Sequence, residues 1–419
     1  MLRQTLTDPV FIAQHRQRDQ DFTRVRALPF ATVVTWLLLN FQNSMRQALQ
    51  RVLDAQPGQM IAVTKGALSQ ARSKLKESAL VALNRLLLAE VESVSSGPRW
   101  LGHRLLAVDG SSLRLPESAE FVQAFGGSRH RRGVRPLARV SAVFDVASRL
   151  ILSAALSPWK AGERALFAQH FEAFRANDLL LLDRGYPALW LFALLLARGV
   201  HFCARLDPGL WRATTDLARH GTDELSYEAV LNRRALALCA QFGVDTASLR
   251  LRVVRVRLKN GVDEFLVTSL LDSERYPRHL FRDLYARRWG VEESFKQLKA
   301  RLTTENFSGK SELAVRQDFH ARVLLANLVN LFALESDRRI RREDARRQRQ
   351  HPHQTNRHYA LAQLRHFLPR FLFRPSLGLV REILRRFASE AESIRSDRSY
   401  PRTPPRLRRG FPIAYKPVA

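Results

Sequence analysis

Two short apolar runs, each finishing on an aspartate, constrain the folding of this 419-residue chain more than any other feature. They are Arg104-Leu-Leu-Ala-Val-Asp109-Gly-Ser-Ser and Asp178-Leu-Leu-Leu-Leu-Asp183-Arg-Gly-Tyr186. Unbroken Leu/Val runs of this length are the signature of strands covered on both faces, and such strands sit in sheets sandwiched by helices. Each run is expected to end on its acid, with Gly110 leaving room for a bulky ligand to approach. An Asp-Gly pair after a strand is also an ordinary turn signal, so neither acid decides anything alone.

The segments between the two runs give them a topology. Ala138 to Val146 and Leu150 to Leu156, joined at Ala147-Ser-Arg149, read as a hairpin, and Glu163 to Phe174 as a helix. The order strand, hairpin, helix, strand is that of a ribonuclease-H-like core, in which the first and fourth strands lie side by side. Asp109 and Asp183 would then meet. Beyond them Leu189 to Ala197 reads as a helix and His201 to Leu206 as a strand.

A third acid comes from the stretch Tyr285 to Lys299, which reads as one helix. At roughly 100° per residue, Tyr285, Arg288, Glu292 and Lys299 fall within a stripe ~60° wide, placing one carboxylate among two cations and a phenol. Leu284, Val291, Phe295, Leu298 and Leu302 form a separate apolar stripe that can bury. The neighbouring Glu293 falls off the polar stripe. Taken alone, the pattern also fits a surface helix with ordinary salt bridges.

The formal net charge of +29 and pI near 11.3 require a polyanionic partner. Nucleic acid is the natural one, through counterion release. An anionic membrane is the competitor, yet the basic residues are spread along the chain and form no single amphipathic anchor. The apolar runs at Leu28 to Phe41, Pro187 to Ala197 and Val323 to Leu334 fall short of the roughly 20 residues that span a bilayer. Asp8 and Pro9 stand where a signal peptide needs apolar residues, so a cytoplasmic protein is expected. Cys203 and Cys239 are too few for a disulfide framework or a cysteine zinc site. His351, His353 and His358 lack the accompanying ligands of a metal site.

The chain divides by character. Residues 1–98 are expected to form a helical N-terminal DNA-binding domain, with Lys65, Arg72, Lys74 and Lys76 around a short helix that suits either a helix-turn-helix-like DNA contact or a solvated basic face. Residues 99–207 and 273–336 would be the two parts of the α/β core, and 208–272 a β-rich insertion. In that insertion the apolar phase flips at Val254, which suggests a bulge, and Lys259-Asn-Gly261 signals a hairpin turn. Residues 337–419 would be a basic helical C-terminal region and tail, holding close to half of the excess charge and ending in Pro- and Arg-rich chain from Tyr400 to Tyr415.

The spacing Tyr285, Arg288, Glu292, Lys299 resembles the YREK signature of the insertion-sequence-four type of DDE transposases. The segments Asp21 to Phe30 and Ala67 to Arg72 look like that family's N-terminal region, and the insertion before the third acid is similar as well. The resemblance implies a ribonuclease-H-like catalytic core interrupted by the insertion, with Asp109, Asp183 and Glu292 as catalytic and metal-binding residues. Tyr285, Arg288 and Lys299 would hold DNA phosphates, arginine as a bidentate fork and lysine as a point charge. Arg184 and Tyr186 would line the same site, and Lys65, Arg72 and Lys74 would contact transposon ends. It implies cut-and-paste transposition at terminal inverted repeats: nicking, a hairpin intermediate, and strand transfer to target DNA by a homodimer in a synaptic complex. One departure concerns the tryptophan that holds a flipped base in studied members, because Trp211 is the single tryptophan in the insertion here.

The chemistry follows from the acids themselves. Three carboxylates drawn together stay ionised only with cations between them, and hard oxygen ligands with room for water select Mg2+ or Mn2+. Two such ions, about 3.5 to 4 Å apart, activate a water or 3'-hydroxyl and stabilise the leaving oxygen of a phosphodiester. Two other readings use parts of the same evidence. A ribonuclease-H-like nuclease or resolvase would need the acids without integration, and an inactive DNA-binding derivative would need only the charge.

Overall fold

The computed structural model describes residues 1–24, 27–39, 44–56, 63–94, 97–131, 133–258, 261–290 and 305–395. The chain forms two compact units: Met1–Ser95 with Leu113–Ala138 and Lys296–Ala419, and Ser96–Ser112 with Arg139–Phe295.

Most of a large mixed sheet lies in the second unit, with its residues 113–114, 127–130 and 133–138 falling in the first. Its strands are β1 (Arg104–Arg114), β2 (Gly127–His130), β3 (Gly133–Asp145), β4 (Ile151–Pro158), β5 (Asp178–Leu182), β6 (His201–Arg205), β7 (Glu224–Val230), β8 (Ser248–Arg257) and β9 (Asp263–Thr268). They lie in the order β2-β3-β1-β5-β6-β9-β8-β7, with β4 paired to β3. The apolar run of β5 is wholly buried, and β1 and β6 run parallel on either side of it. The expected adjacency of the first and fourth strands therefore holds. The hairpin of β3 and β4 also holds, turning at Arg149 with φ +60°. The helix after it is shorter than its sequence pattern, covering Glu163–Ala168 before a single 3-10 turn at Phe171–Ala173. Helix Leu189–Ala197 covers the sheet, and the Phe192 and Phe202 rings stack at 4.0 Å.

Two local expectations are corrected. β1 does not stop at Asp109 but continues to Arg114; Gly110, Ser111 and Ser112 extend the strand where their composition suggested a turn. The phase flip in β8 is not a bulge, because its registers with β7 and β9 are unbroken. The flip instead marks burial on both faces. Arg252 is only 2% exposed, donates to the Tyr276 carbonyl at 2.8 Å and to Glu224 at 2.5 Å, and lies over the Phe281 ring. Phe281 belongs to helix Leu280–Ala286, which packs on β8. The segment expected as an insertion contributes helices Arg212–His220 and Arg233–Gln241, and its strands lengthen the main sheet through the antiparallel pair β6 and β9. Gly261, with φ +80°, follows the expected turn residues Lys259 and Asn260, which lie outside the described residues.

The first unit is helical. Its axis is Glu312–Arg346, a 35-residue helix capped by Ser311, whose hydroxyl accepts from the Ala314 amide. Helices Phe30–Leu39, Ser78–Val94, Arg357–Phe373 and Leu377–Ser389 pack against it. The basic C-terminal stretch is in part a packed structure: Arg357 and Asp337 form a buried pair at 2.7 Å, and Leu379, Ile383, Leu384 and Phe387 are buried. His353 faces Asp344 at 3.1 Å. The linker residues Ser95 and Ser96 and the tail from Tyr400 lie outside the described residues. Among the described residues, no helix is long and apolar enough to cross a membrane.

Candidate active site

The parallel pairing of β1 and β5 sets the site. The register aligns Arg104 with Asp178 and Ala107 with Leu181; continued two residues past that last pair, it would set Asp109 opposite Asp183. β5 ends at Leu182, so Asp109 sits where β1 loses its parallel neighbour. Both aspartates are half-buried, while Arg184 and Gly185 are exposed. The Gly110 amide donates to Asp109 Oδ1 at 2.8 Å.

Sequence reasoning missed a third acid here. A Cβ at Gly110 would stand 3.7 Å from Glu163 Oε1 and 3.7 Å from the Tyr186 hydroxyl, and one at Gly185 would meet Glu163 Oε2 at 3.0 Å. The glycine beside each aspartate thus admits the Glu163 carboxylate. Arg139 on β3 donates to Glu163 at 3.1 Å and stacks over the Trp159 ring at 4.7 Å. Arg164 donates to the carbonyls of Gly185 and Pro187 at 3.2 and 3.1 Å, pinning the Asp-Arg-Gly-Tyr loop. The one signal in the sequence was an acid in the first turn of a helix, which the helix dipole explains without any site.

Tyr186 and Tyr285, expected to line the site at DNA, are both buried. Tyr186 is 2% exposed and its ring packs against Phe167. Burial pushes its phenol far up, and the charges of Asp109, Glu163 and Asp183 push the same way against a small pull from Ser141. Tyr285 is buried and donates to the Leu182 carbonyl at 3.3 Å, bracing the strand end that carries Asp183. Burial raises its phenol as well, with Arg288 opposing and Asp183 adding. Arg288 is also buried, its guanidinium over the Tyr285 and Trp289 rings at 5.7 and 5.5 Å. The single helix expected from Tyr285 is interrupted: helix Leu280–Ala286 ends at Arg287, and the Arg288 amide donates to the Tyr285 carbonyl at 3.0 Å. Glu292 and Lys299 lie outside the described residues. Among the described residues, no three His, Cys, Asp or Glu side chains are grouped to hold a metal ion.

In the helical unit, Lys65 is exposed and Lys74 half-buried, but Arg72 is turned inward. Its guanidinium donates to Gln317 and Ser308, each at 2.6 Å, to the Ala314 carbonyl at 2.6 Å, and to Asp318 at 2.8 Å. Four of its five N–H donors are engaged within the helical unit, so the side chain expected at DNA is a buried bond of the helical core.

Behind the acids lies a buried polar chain. His170 is fully buried, with Nδ1 2.8 Å from the Ser153 hydroxyl and Nε2 2.9 Å from that of Ser141. Burial lowers its pKa to about 4. Unfolded histidine titrates near 6.5, so between these values the native state binds fewer protons than the unfolded one. The stabilisation is complete above about pH 6.5 and is lost as the pH falls toward 4, by on the order of 3 kcal/mol. Urea unfolding at pH 7 and pH 4.5 is expected to show that loss in the wild type and a smaller one in His170→Gln. Equal losses in both would remove His170 as its source.

Residues 100–328 match the family described as "Transposase DDE domain". The chain is 26% identical over 317 residues to the transposase InsG for insertion sequence element IS4 of Escherichia coli (strain K12), covering 73% of this chain and 70% of that protein. Among solved structures it is similar to the piggyBac transposase in a synaptic complex with hairpin DNA, at 10% identity and a TM-score of 0.44, covering 92% of this chain and 84% of that one.

Proposed function

Because the chain belongs to the transposase DDE domain family and is a transposase of the insertion-sequence kind, we propose that Asp109, Asp183 and Glu292 form its catalytic triad, cutting transposon ends and joining them to target DNA. The observation that carries this reading is the β1–β5 register, which, continued two residues past its last pair, would set Asp109 and Asp183 from distant segments side by side where β5 ends. On this reading the sheet, with its first and fourth strands adjacent, is a ribonuclease-H-like core. Residues 99–207 and 273–336 are its two parts, 208–272 its insertion, 1–98 the end-binding domain and 337–419 the basic C-terminal region.

The donor set suits Mg2+ or Mn2+, two ions in the reading. It consists of hard carboxylate oxygens, half-exposed at a strand edge, with no cysteine or histidine among them. Asp109 and Asp183 would hold the metal with Glu292, and when bound it would supply a nucleophilic oxygen at neutral pH and a Lewis acid for the leaving oxygen. The chain's own residues do the rest. Tyr285 and Arg164 fix the two ends of the Asp183 loop, and Arg184, exposed beside Asp183, is placed for a phosphate. Lys65 and Lys74 are proposed at the transposon end and Lys299 at the scissile phosphate. A homodimer on paired terminal inverted repeats and a hairpin intermediate belong to the proposal on family resemblance alone, since Trp211 is partly buried and packs near the Phe192 ring.

The experiment is a strand-transfer assay with Mg2+, a pre-cleaved labelled transposon end and a supercoiled target plasmid. Joined product is expected. Cleavage of uncut ends without any joined product would instead identify a nuclease that does not integrate.

A further inference from the structure

The phenol of Tyr186 is a buried polar group in the second unit whose placement the fold itself does not explain. Its oxygen is buried and has no hydrogen-bond partner among the described residues. A buried hydroxyl left unmatched costs roughly 1–3 kcal/mol, and phenylalanine would fill the same space beside Phe167 without that cost. Yet the hydroxyl stands 3.7 Å from where a Gly110 Cβ would be, the point that Glu163 Oε1 also approaches to 3.7 Å. Among the charges acting on it, that of Asp109 is the largest. The ring is fixed from behind by Phe167, at a centroid distance of 5.8 Å. The Ser141 hydroxyl, 2.9 Å from His170 Nε2, lies near enough to pull weakly on the phenol but makes no formed hydrogen bond to it. A group held so firmly, unsatisfied and beside an acid, has the features of a donor kept ready for another state of the site.

We propose that Tyr186 is a positioning residue whose hydroxyl donates to Asp109 when the site takes up divalent cations, orienting that carboxylate toward the metal. The proposal rests on the reading of Asp109 and Asp183 as cation ligands. It gives the tyrosine of the Asp-Arg-Gly-Tyr motif a role beneath the acids, away from DNA. No chemical step passes through the hydroxyl, and its proton stays in place.

The proposal predicts effects of opposite sign from one oxygen atom. In the full-length chain, Tyr186→Phe is expected to melt in EDTA at or above the wild-type temperature, because an unmatched buried hydroxyl is removed and the ring is kept. The same variant is expected to bind Mn2+ about tenfold more weakly by isothermal titration, in line with the ~10–100-fold effects of groups that orient metal ligands. Asp109→Asn is titrated alongside. A lower melting temperature in EDTA for Tyr186→Phe, whatever its Mn2+ affinity, would make the hydroxyl a structural bond and overturn the proposal. Unchanged Mn2+ affinity in Tyr186→Phe, with weakened affinity in Asp109→Asn, would overturn it while leaving the site reading intact. Unchanged affinity in both would overturn the site reading as well.

Discussion

Asparagine in place of Asp109 or Asp183 is expected to lower metal-dependent cleavage of the transposon end on the order of 10³-fold, while end binding and thermal stability change little. The size follows from the charge that a divalent cation stabilises in the transition state, worth several kcal/mol, at tenfold in rate per 1.36 kcal/mol. The selectivity follows from position. Both side chains are half-exposed, so exchanging a carboxylate for an amide of the same shape opens no cavity. The two variants should fail equally, since the β1–β5 register makes the acids equivalent across the strand pair. Cleavage rates on a labelled duplex in Mg2+, with binding measured in Ca2+, check this. Near-normal cleavage by either variant would remove that residue from the triad.

The second large effect is on stability. Arg72→Met is expected to destabilise the protein by about 3 kcal/mol, because it removes one of the two guanidinium groups, those of Arg72 and Arg322, that act on the buried Asp318. For a unit of this size that amounts to a fall of roughly 10 °C in melting temperature. Asp318 also accepts from the Ser308 amide and hydroxyl, and these bonds do not replace a charge. The double variant Arg72→Met with Asp318→Leu should recover part of the loss, as apolar replacement of a whole buried pair often does. A residue contacting DNA would behave otherwise, with unchanged melting and a shallower salt dependence of binding. Thermal melts of the single and double variants therefore separate the two roles.

Arg72 also shows where sequence reading reaches its limit. On a helical wheel it is one cation among Lys65, Lys74 and Lys76, and nothing local distinguishes it. The distinction comes from Gln317 and Asp318, 245 and 246 positions along the chain. Tyr285 and Arg288 were found by spacing but faced wrongly, because spacing on an assumed helix cannot register that the helix ends at Arg287. The phase flip at Val254 suggests a bulge in the sequence because the burial of the nearby Arg252 depends on Phe281 of a helix further along the chain. What was legible rested on short-range pattern. The buried run of β5, the hairpin turning at Arg149 and helix Leu189–Ala197 each declare themselves within about ten residues, as periodicity allows. The pairing of β1 with β5 was legible because strand order in this topology leaves few alternatives. Glu163 was not, because its place in the site depends on two glycines from two other segments.

The central claim, that Asp109, Asp183 and Glu292 converge on one cation site, is tested most directly by iron-mediated cleavage of the protein's own backbone. Fe2+ replaces Mg2+, and ascorbate with peroxide then generates radicals that cut the nearest main chain. The account predicts three sets of fragments, ending close to Asp109, Asp183 and Glu292, all suppressed by excess Mg2+. Cuts near Asp109 and Asp183 with none near Glu292, or cuts confined to other parts of the chain, would contradict it.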